Sequence, residues 1–510
     1  MKVTSTVYRS LPLANVVSRS NFTRGRATAL LELLGSADGR RELARELEAI
    51  LFCHALDAHW PATADREYGG YLTDLDQRWR PCGEQSKSLE FQARQTWAYA
   101  RAARLYPGRG YDGAAQHGFE FLRRAMWDDD HGGFFTLVDR QGRPLKQGRK
   151  HPHGCTYAIE AFLELSPLIG DAETRLWAGR AFDWLEAVAW DREHGGYWGD
   201  YTRAGIRIDA DDLSPEDRYD WLGTPYGLKD MNVPGDALGA LGALVRYGWG
   251  ERAVARLEWL YRHYVDRLVT PYGLMSYFYT RDWTPLPDIP RSGHPLQLIE
   301  TLISAAGPLD RTAEAICVAE KLVRRYRSFF AHAEGGLIFA RSIQPSPFYD
   351  IDLSVRERTW WVQTEASRAF LLLALLCPDD PSHREAFAGQ WSFVEGHMVD
   401  TRFHGFFESA EEGRKARQWL SPFHSSSRKT HLWKDVSHEA HMLMDAVGWL
   451  RGGLLRIRST GGTSGRQDSQ RGKPSRDPGG SDHEDPVHDQ SEGGASSGVH
   501  DPDSGAVPGG

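Results

Sequence analysis

The sequence predicts an all-α fold, an (α/α)6 barrel: a toroid of six helix pairs joined by short β-hairpin-like Gly-aromatic loops. Three observations predict it. A polar residue, one or two glycines and then aromatic or aliphatic residues recur six times, with the first glycines at 69, 132, 195, 273, 335 and 405. The steps of 63, 63, 78, 62 and 70 residues are near-constant, which marks a repeat architecture. Between the loops, apolar residues recur at i, i+3, i+4 and i+7, the helical period.

The loops read Tyr68-Gly69-Gly70-Tyr71, His131-Gly132-Gly133-Phe134-Phe135, His194-Gly195-Gly196-Tyr197-Trp198, Tyr272-Gly273-Leu274, Glu334-Gly335-Gly336-Leu337 and His404-Gly405-Phe406-Phe407. Their glycines suit tight turns with positive φ, and the residues that follow suit short strands. A helix is expected before each loop, near 41–58, 113–127, 173–188, 250–267, 311–329 and 383–398. A second is expected after each, near 88–105, 155–169, 233–247, 295–306, 358–376 and 434–451. The second set holds the more apolar stretches, such as Ala369 to Leu376, as expected of helices covered on most sides. Six pairs then close with six helices inside and six outside.

A prior of one domain per ~150 residues would give about three domains. The repeat instead makes 27–457 one barrel domain. It follows a loose N-terminal extension, 1–26, and precedes a Gly/Ser/Asp-rich tail, 458–510. From Ser459 on the tail has 12 glycines, no aromatic residue and only three valines as large aliphatics. It cannot bury enough apolar surface to offset its ordering entropy, so it is expected to be disordered.

Sixty-nine acidic against 61 basic residues leave a net charge of −8, which argues against a nucleic-acid partner. No stretch approaches the ~20 apolar residues of a membrane span. Met1 to Ser20 lacks the continuous apolar run of a secretory signal. Five cysteines, none at CxxC spacing, suit reduced thiols in a cytoplasmic protein. Eighteen tryptophans permit a carbohydrate pocket, since indole faces stack on sugars, although any one of them fits a core as well.

Unusual polar residues cluster near the starts of the second helices: Arg94, Tyr157, Asn232, His294, Trp361 with Glu365, and His438. Parallel inner helices begin at one end of a toroid, so these segments should converge. Their N-termini favour an anion or a developing oxyanion there. Ser292-Gly293-His294-Pro295-Leu296-Gln297 is the strongest local segment, with Ser292 as N-cap and proline in the first turn. A lone histidine is more often structural, but His438 holds the matching place in another repeat. Two imidazoles on one cavity are suited to moving protons near neutral pH. Ser437-His438-Glu439-Ala440-His441 invites a metal reading, yet zincin chemistry wants histidines at i and i+4 and these stand at i and i+3. No metal ligand set is assigned.

These residues resemble the N-acylglucosamine 2-epimerase family, which includes cellobiose epimerases and mannose isomerases. The resemblance runs through Ser88-Leu89-Glu90-Phe91-Gln92-Ala93-Arg94-Gln95-Thr96-Trp97, the HGGFF and HGGYW loops, and Tyr157 with Ala161-Phe162. It continues through Gly293-His294, Trp360-Trp361-Val362-Gln363-Thr364-Glu365, and Lys434 with His438. It implies the toroid and an isomerase, a carbohydrate epimerase or aldose–ketose isomerase. A histidine removes the C2 proton of an open-chain aldose, an enediolate forms, and reprotonation at C2 gives the epimer or at C1 the ketose. On this resemblance His294 and His438 are the acid/base pair and Arg94 stabilises the enediolate. Tyr157, Asn232 and Gln297 hold the sugar, Trp361 stacks on it, and Glu365 binds a hydroxyl or anchors a helix. No cofactor is required, and a nucleotide effector stays open. The partner implied is a small-molecule sugar, with no nucleic acid and no membrane; a homodimer stays open.

Two departures stand out. The family usually reads Gly-His-x-x-Glu, and here Gln297 takes the carboxylate's place. A glutamine can bond the imidazole but cannot stabilise an imidazolium by charge, which implies a lower His294 pKa. Glu300 is no substitute, because six residues at ~100° each place it about 120° round the helix. After Asn232, the chain carries Val233-Pro234-Gly235-Asp236 where relatives tend to have histidines, and His441 stands where the family often has arginine. Two other readings compete. A glycoside hydrolase on the same scaffold would need two carboxylates ~6.5–9.5 Å apart for inversion, drawn from Asp230, Asp236 and Glu365. A non-catalytic sugar-binding or regulatory relative would take Gln297 as its clue.

Overall fold

Each repeat runs out along an outer helix, reverses through its glycine loop and returns along an inner helix. The computed structural model describes residues 19–209, 218–269, 273–343, 352–412 and 428–453, with side chains from Thr23 onward. The outer helices are Ala37–Ile50, Tyr111–Phe121, Asp171–Trp184, Glu251–His263, Thr312–Phe330 and Pro381–His397. The inner helices are Leu89–Leu105, Pro152–Glu164, Asn232–Arg246, Gly293–Ala306, Trp360–Leu376 and Ser437–Gly448. These are the twelve expected helices. Ala37–Ile50 buries a single stripe (Leu43, Ala44, Leu47, Ile50), whereas Trp360–Leu376 is buried round almost its whole circumference. Each inner helix packs on the next, and the last packs back on the first, so the toroid is closed.

The loops differ from the expected hairpins in what they pair with. Inside each of five loops a single bridge closes the turn, as between Trp127 and Phe134 or Trp190 and Tyr197. The longer pairings run between repeats. The segment before each inner helix pairs antiparallel with the loop of the following repeat: Lys87–Ser88 with Leu137–Val138, Lys150 with Tyr201, and Lys229–Asp230 with Phe278–Tyr279. Arg291 pairs with Ala340 and Thr359 with Ser409. Arg428–Thr430 then pairs with Leu75–Asp76, joining the sixth repeat to the first.

Buried lysines fasten this ring. Lys87 Nζ lies 2.9 Å from Asp65 Oδ2 and donates to the carbonyls of Gly69 (2.7 Å) and Arg140 (3.0 Å). One repeat on, Lys150 repeats the pattern with Asp128, Gly132 and Arg203. Lys229 joins Asp191 to Gly195, and Lys429 joins Asp400 to His404. An ammonium with three donors satisfies a buried carboxylate and loop carbonyls together, offsetting its own desolvation. The second glycines have a steric reason. A Cβ on Gly70 would come within 2.6 Å of Gln92 Oε1, whose carboxamide bonds both the N–H and the carbonyl of Tyr71. Gln363 does the same for Leu337, against Gly336.

The described residues begin before the expected boundary at 27. Helix Arg19–Leu34 packs on Pro381–His397, and Arg26 pairs with Glu46 and Glu395 (2.5 and 2.6 Å), which ties it to two outer helices. The tail expected over 458–510 and the first 18 residues lie outside the described residues. Among the described residues no helix is long and apolar enough to cross a membrane.

Candidate active site

The parallel inner helices begin at one mouth of the barrel, and the ring sets their register. Three residues after Lys87, Lys150, Lys229, Arg291 and Arg358 stand Glu90, His153, Asn232, His294 and Trp361. One turn deeper in four of these helices come Arg94, Tyr157, Asp236 and Glu365.

His294 opens its helix between Tyr277 and Trp361, with ring centroids 5.0 and 4.9 Å away. Ser292 does not cap that helix as expected. Its own backbone is already helical, and its hydroxyl donates to the carbonyls of Ile338 (2.8 Å) and Phe339 (3.2 Å). His294 Nδ1 is buried without a hydrogen-bond partner. Burial, followed by Arg291, His153 and His438, pushes this imidazole well below its usual pKa. The expected bond from Gln297 is not made: its carboxamide reaches Asp236 Oδ1 across 3.4 Å. The preceding glycine makes room for the aromatic wall, because a Cβ on Gly293 would overlap the Trp361 indole.

His438 packs on the same indole, at 5.6 Å, so Trp361 is shared by both histidines. Its Nδ1 lies 2.8 Å from Glu365 Oε1. Glu365 is only 1% exposed and sits 3.6 Å from Arg368. It is therefore placed to orient His438, on the neighbouring inner helix, and to stabilise an imidazolium. Arg94 is held by Asp435 at 2.7–2.8 Å and donates to the Trp433 carbonyl. Its guanidinium lies over the Tyr157 ring at 5.3 Å.

Sequence reasoning missed a cluster beside these residues. His153 presents Nδ1 to Glu90 (3.1 Å) and Nε2 to Asp236 (3.0 Å), with the Asn232 carboxamide 3.2 Å away. Burial opposes the imidazolium, but hydrogen bonds to Asp236 and Glu90 outweigh it and raise His153 to about 9. Its signal was legible: it is the third residue after a ring cation, like Asn232 and His294. Trp221 donates to Glu90 (3.1 Å) and packs on Trp433 at 5.3 Å, joining loops of two repeats at the mouth.

Deeper in the lumen, Glu300, His441 and Asp445 offer ligand atoms close enough for a metal. Arg368 occupies that position instead, donating to Asp445 (2.7 Å) and Glu300 (2.5 Å), with its guanidinium 2.8 Å from His441 Nε2. His438 and His441 thus serve different partners, Glu365 and Arg368. The carboxylates considered for hydrolysis are likewise engaged. Asp230 caps the N–H groups of Asn232 and Val233 (2.7 and 3.0 Å), Glu365 holds His438, and Asp236 faces His153.

The family model for N-acylglucosamine 2-epimerase matches residues 70–204. A cellobiose 2-epimerase of Bacteroides fragilis is 23% identical over 412 residues, covering 80% of this chain and 99% of that protein. The structure of the cellobiose 2-epimerase from Spirochaeta thermophila superposes with a TM-score of 0.70 at 25% identity, over 81% of this chain and 98% of that one. The chain is similar to the N-acylglucosamine 2-epimerase family in sequence and in fold. A D-mannose isomerase shares its fold at 19% identity, with a TM-score of 0.65 over 79% of this chain and 97% of the other. A family 76 glycoside hydrolase is a more distant fold neighbour, at 10% identity and a TM-score of 0.51.

Proposed function

We propose that this enzyme is a sugar 2-epimerase or aldose–ketose isomerase that transfers a proton at the carbon beside the carbonyl of an open-chain sugar. The observation that carries the reading is two histidines from different repeats sharing Trp361, one backed by a carboxylate and one whose buried Nδ1 has no hydrogen-bond partner. His438 takes the C2 proton, and Glu365 stabilises the imidazolium that results. Electron density moves onto the carbonyl oxygen, and Arg94 offsets the charge of the enediolate. Return of a proton to the opposite face of C2, with His294 as the donor there, gives the epimer; return to C1 gives the ketose. Tyr157, Asn232 and Trp361 hold the sugar.

The scheme moves protons without net oxidation, so its balance calls for no redox cofactor. None of the five cysteines forms a disulfide, which suits the cytoplasmic location of this reading. The test is proton NMR in D2O with N-acetylglucosamine, N-acetylmannosamine, glucose, mannose, fructose and cellobiose, each with and without ATP. Deuterium should appear at C2 or C1 and be lost in His294→Ala and His438→Ala. A folded protein silent on the whole panel, or wash-in that survives both substitutions, overturns the mechanism.

A further inference from the structure

The third inner helix places a carboxylate, Asp236, on the lumen wall opposite the helix whose own carboxylate is missing at Gln297. We propose that Glu90, His153 and Asp236 form a charged clamp that fixes the Asp236 carboxylate facing the lumen, where it accepts a substrate hydroxyl and selects neutral sugars over anionic ones. The proposal rests on the sugar reading above and adds to it the residue that recognises the sugar and the substrate charge it admits.

Geometry carries the argument. Both nitrogens of His153 lie beside carboxylates, 3.1 and 3.0 Å away, an arrangement that favours the doubly protonated, cationic ring. The Asn232 carboxamide also lies beside Nε2, with its Nδ2 3.2 Å away. The titratable groups facing His153 are Glu90 from the first inner helix, Asp236 from the third, His294 from the fourth and His151 at the start of its own helix. His151 is itself paired with Asp220. Glu90 is fully buried and held ionised, so it neutralises His153 and leaves one negative charge on the clamp, at Asp236.

Asp236 takes the long 3.4 Å bond from Gln297 at Oδ1 and a bond from the Tyr157 hydroxyl, and a carboxylate with about four lone-pair sites keeps acceptor capacity beyond these. A second group senses the same charge. Glu160, one turn beyond Tyr157, is pushed up to about 8, by burial first and then by Asp236 and Glu300. A wall that resists ionisation of its own second carboxyl repels a phosphate or carboxylate on the substrate and accepts O–H donors. His153 is a positioning residue here, and Asp236 makes the contact.

The experiment uses the full chain and its Asp236→Asn, His153→Gln and doubly substituted variants. Wash-in kinetics are followed with mannose, N-acetylmannosamine and cellobiose, and with glucose 6-phosphate and glucuronate as anionic probes. Each single substitution should raise KM for the neutral sugars about tenfold, as expected for a lost charge-assisted hydrogen bond, with kcat changed less than about threefold. H153Q should also change the pH profile of kcat/KM, since it removes the cation beside Asp236. The double variant should match D236N alone, because the clamp acts only through Asp236. Imidazole 15N shifts, assigned by subtraction of H153Q, should show a protonated His153 at pH 8 in the wild type and a neutral one in D236N.

Additive effects, a fall in thermal stability with KM and pH profile unchanged, or anionic sugars turned over as well as neutral ones would overturn the clamp. If the wild type exchanges no proton on any sugar, the functional reading fails separately. The clamp is then judged by the 15N shifts and by mannose titration, where equal binding to wild type and D236N sinks it.

Discussion

Glu365→Gln probes the proton-transfer machinery most directly, because it keeps the shape of the side chain and removes the charge beneath His438. The 2.8 Å contact joins two groups whose side chains are 11% and 1% exposed, so solvent screens it little. A hydrogen bond to a charged group in such surroundings contributes about 1.5–3 kcal/mol, and here it does so chiefly when the imidazolium forms. At about 1.4 kcal/mol per tenfold, kcat for C2 deuterium wash-in should drop roughly 10- to 150-fold, with KM little changed. Arg368 keeps Asp445 and Glu300, so the thermal midpoint should move only a few degrees. The control is His438→Ala with and without Glu365→Gln: once the imidazole is gone, the second substitution should cost nothing further. A loss below threefold in E365Q, or an undiminished effect in the H438A background, would show that Glu365 does not act through His438.

Other consequences test the fold and the lumen. Asp128 is opposed by burial but held well below the usual carboxylate range by Arg203 and Lys150. Its folded pKa lies under its unfolded value, so its stabilisation is complete above ~pH 4 and fades as pH falls through the folded pKa. Asp128→Asn should cost about 3–5 kcal/mol at pH 7 in urea melts and flatten the loss of stability between pH 4 and 2. Glu160 has the opposite sign: with its folded pKa at about 8, its contribution is present below its unfolded value and lost as pH rises through 8. Glu160→Gln should therefore raise the melting temperature relative to wild type at pH 8.5 and not at pH 4. Gly293→Ala drives a methyl into Trp361, so about 1–3 kcal/mol of strain should displace the indole, lowering wash-in and shifting tryptophan fluorescence.

Much of this was legible along the chain. The glycine period placed all twelve helices, and the polar residues at their starts led to His294, Trp361 and His438. Gln297 and Ser292 were found but given other partners than the fold provides. Each was read along its own helix, whereas its partner comes from another repeat: Asp236 for Gln297, the Ile338 carbonyl for Ser292. His153 was passed over for the same reason, since its two carboxylates lie 63 and 83 residues away in sequence, counting from Glu90 and to Asp236.

Periodicity is a local property, set by 3.6 residues per turn and by where glycine permits a turn, so the sequence by itself determined the repeat, the helices and which residues begin them. Charge state and contact across the barrel are not local. Whether an imidazole is cationic like His153 or neutral like His294 depends on which carboxylates the closed ring brings within 3 Å and on how much water it excludes. Only the closure of the sixth repeat onto the first, through Arg428–Thr430 and Leu75–Asp76, decided that.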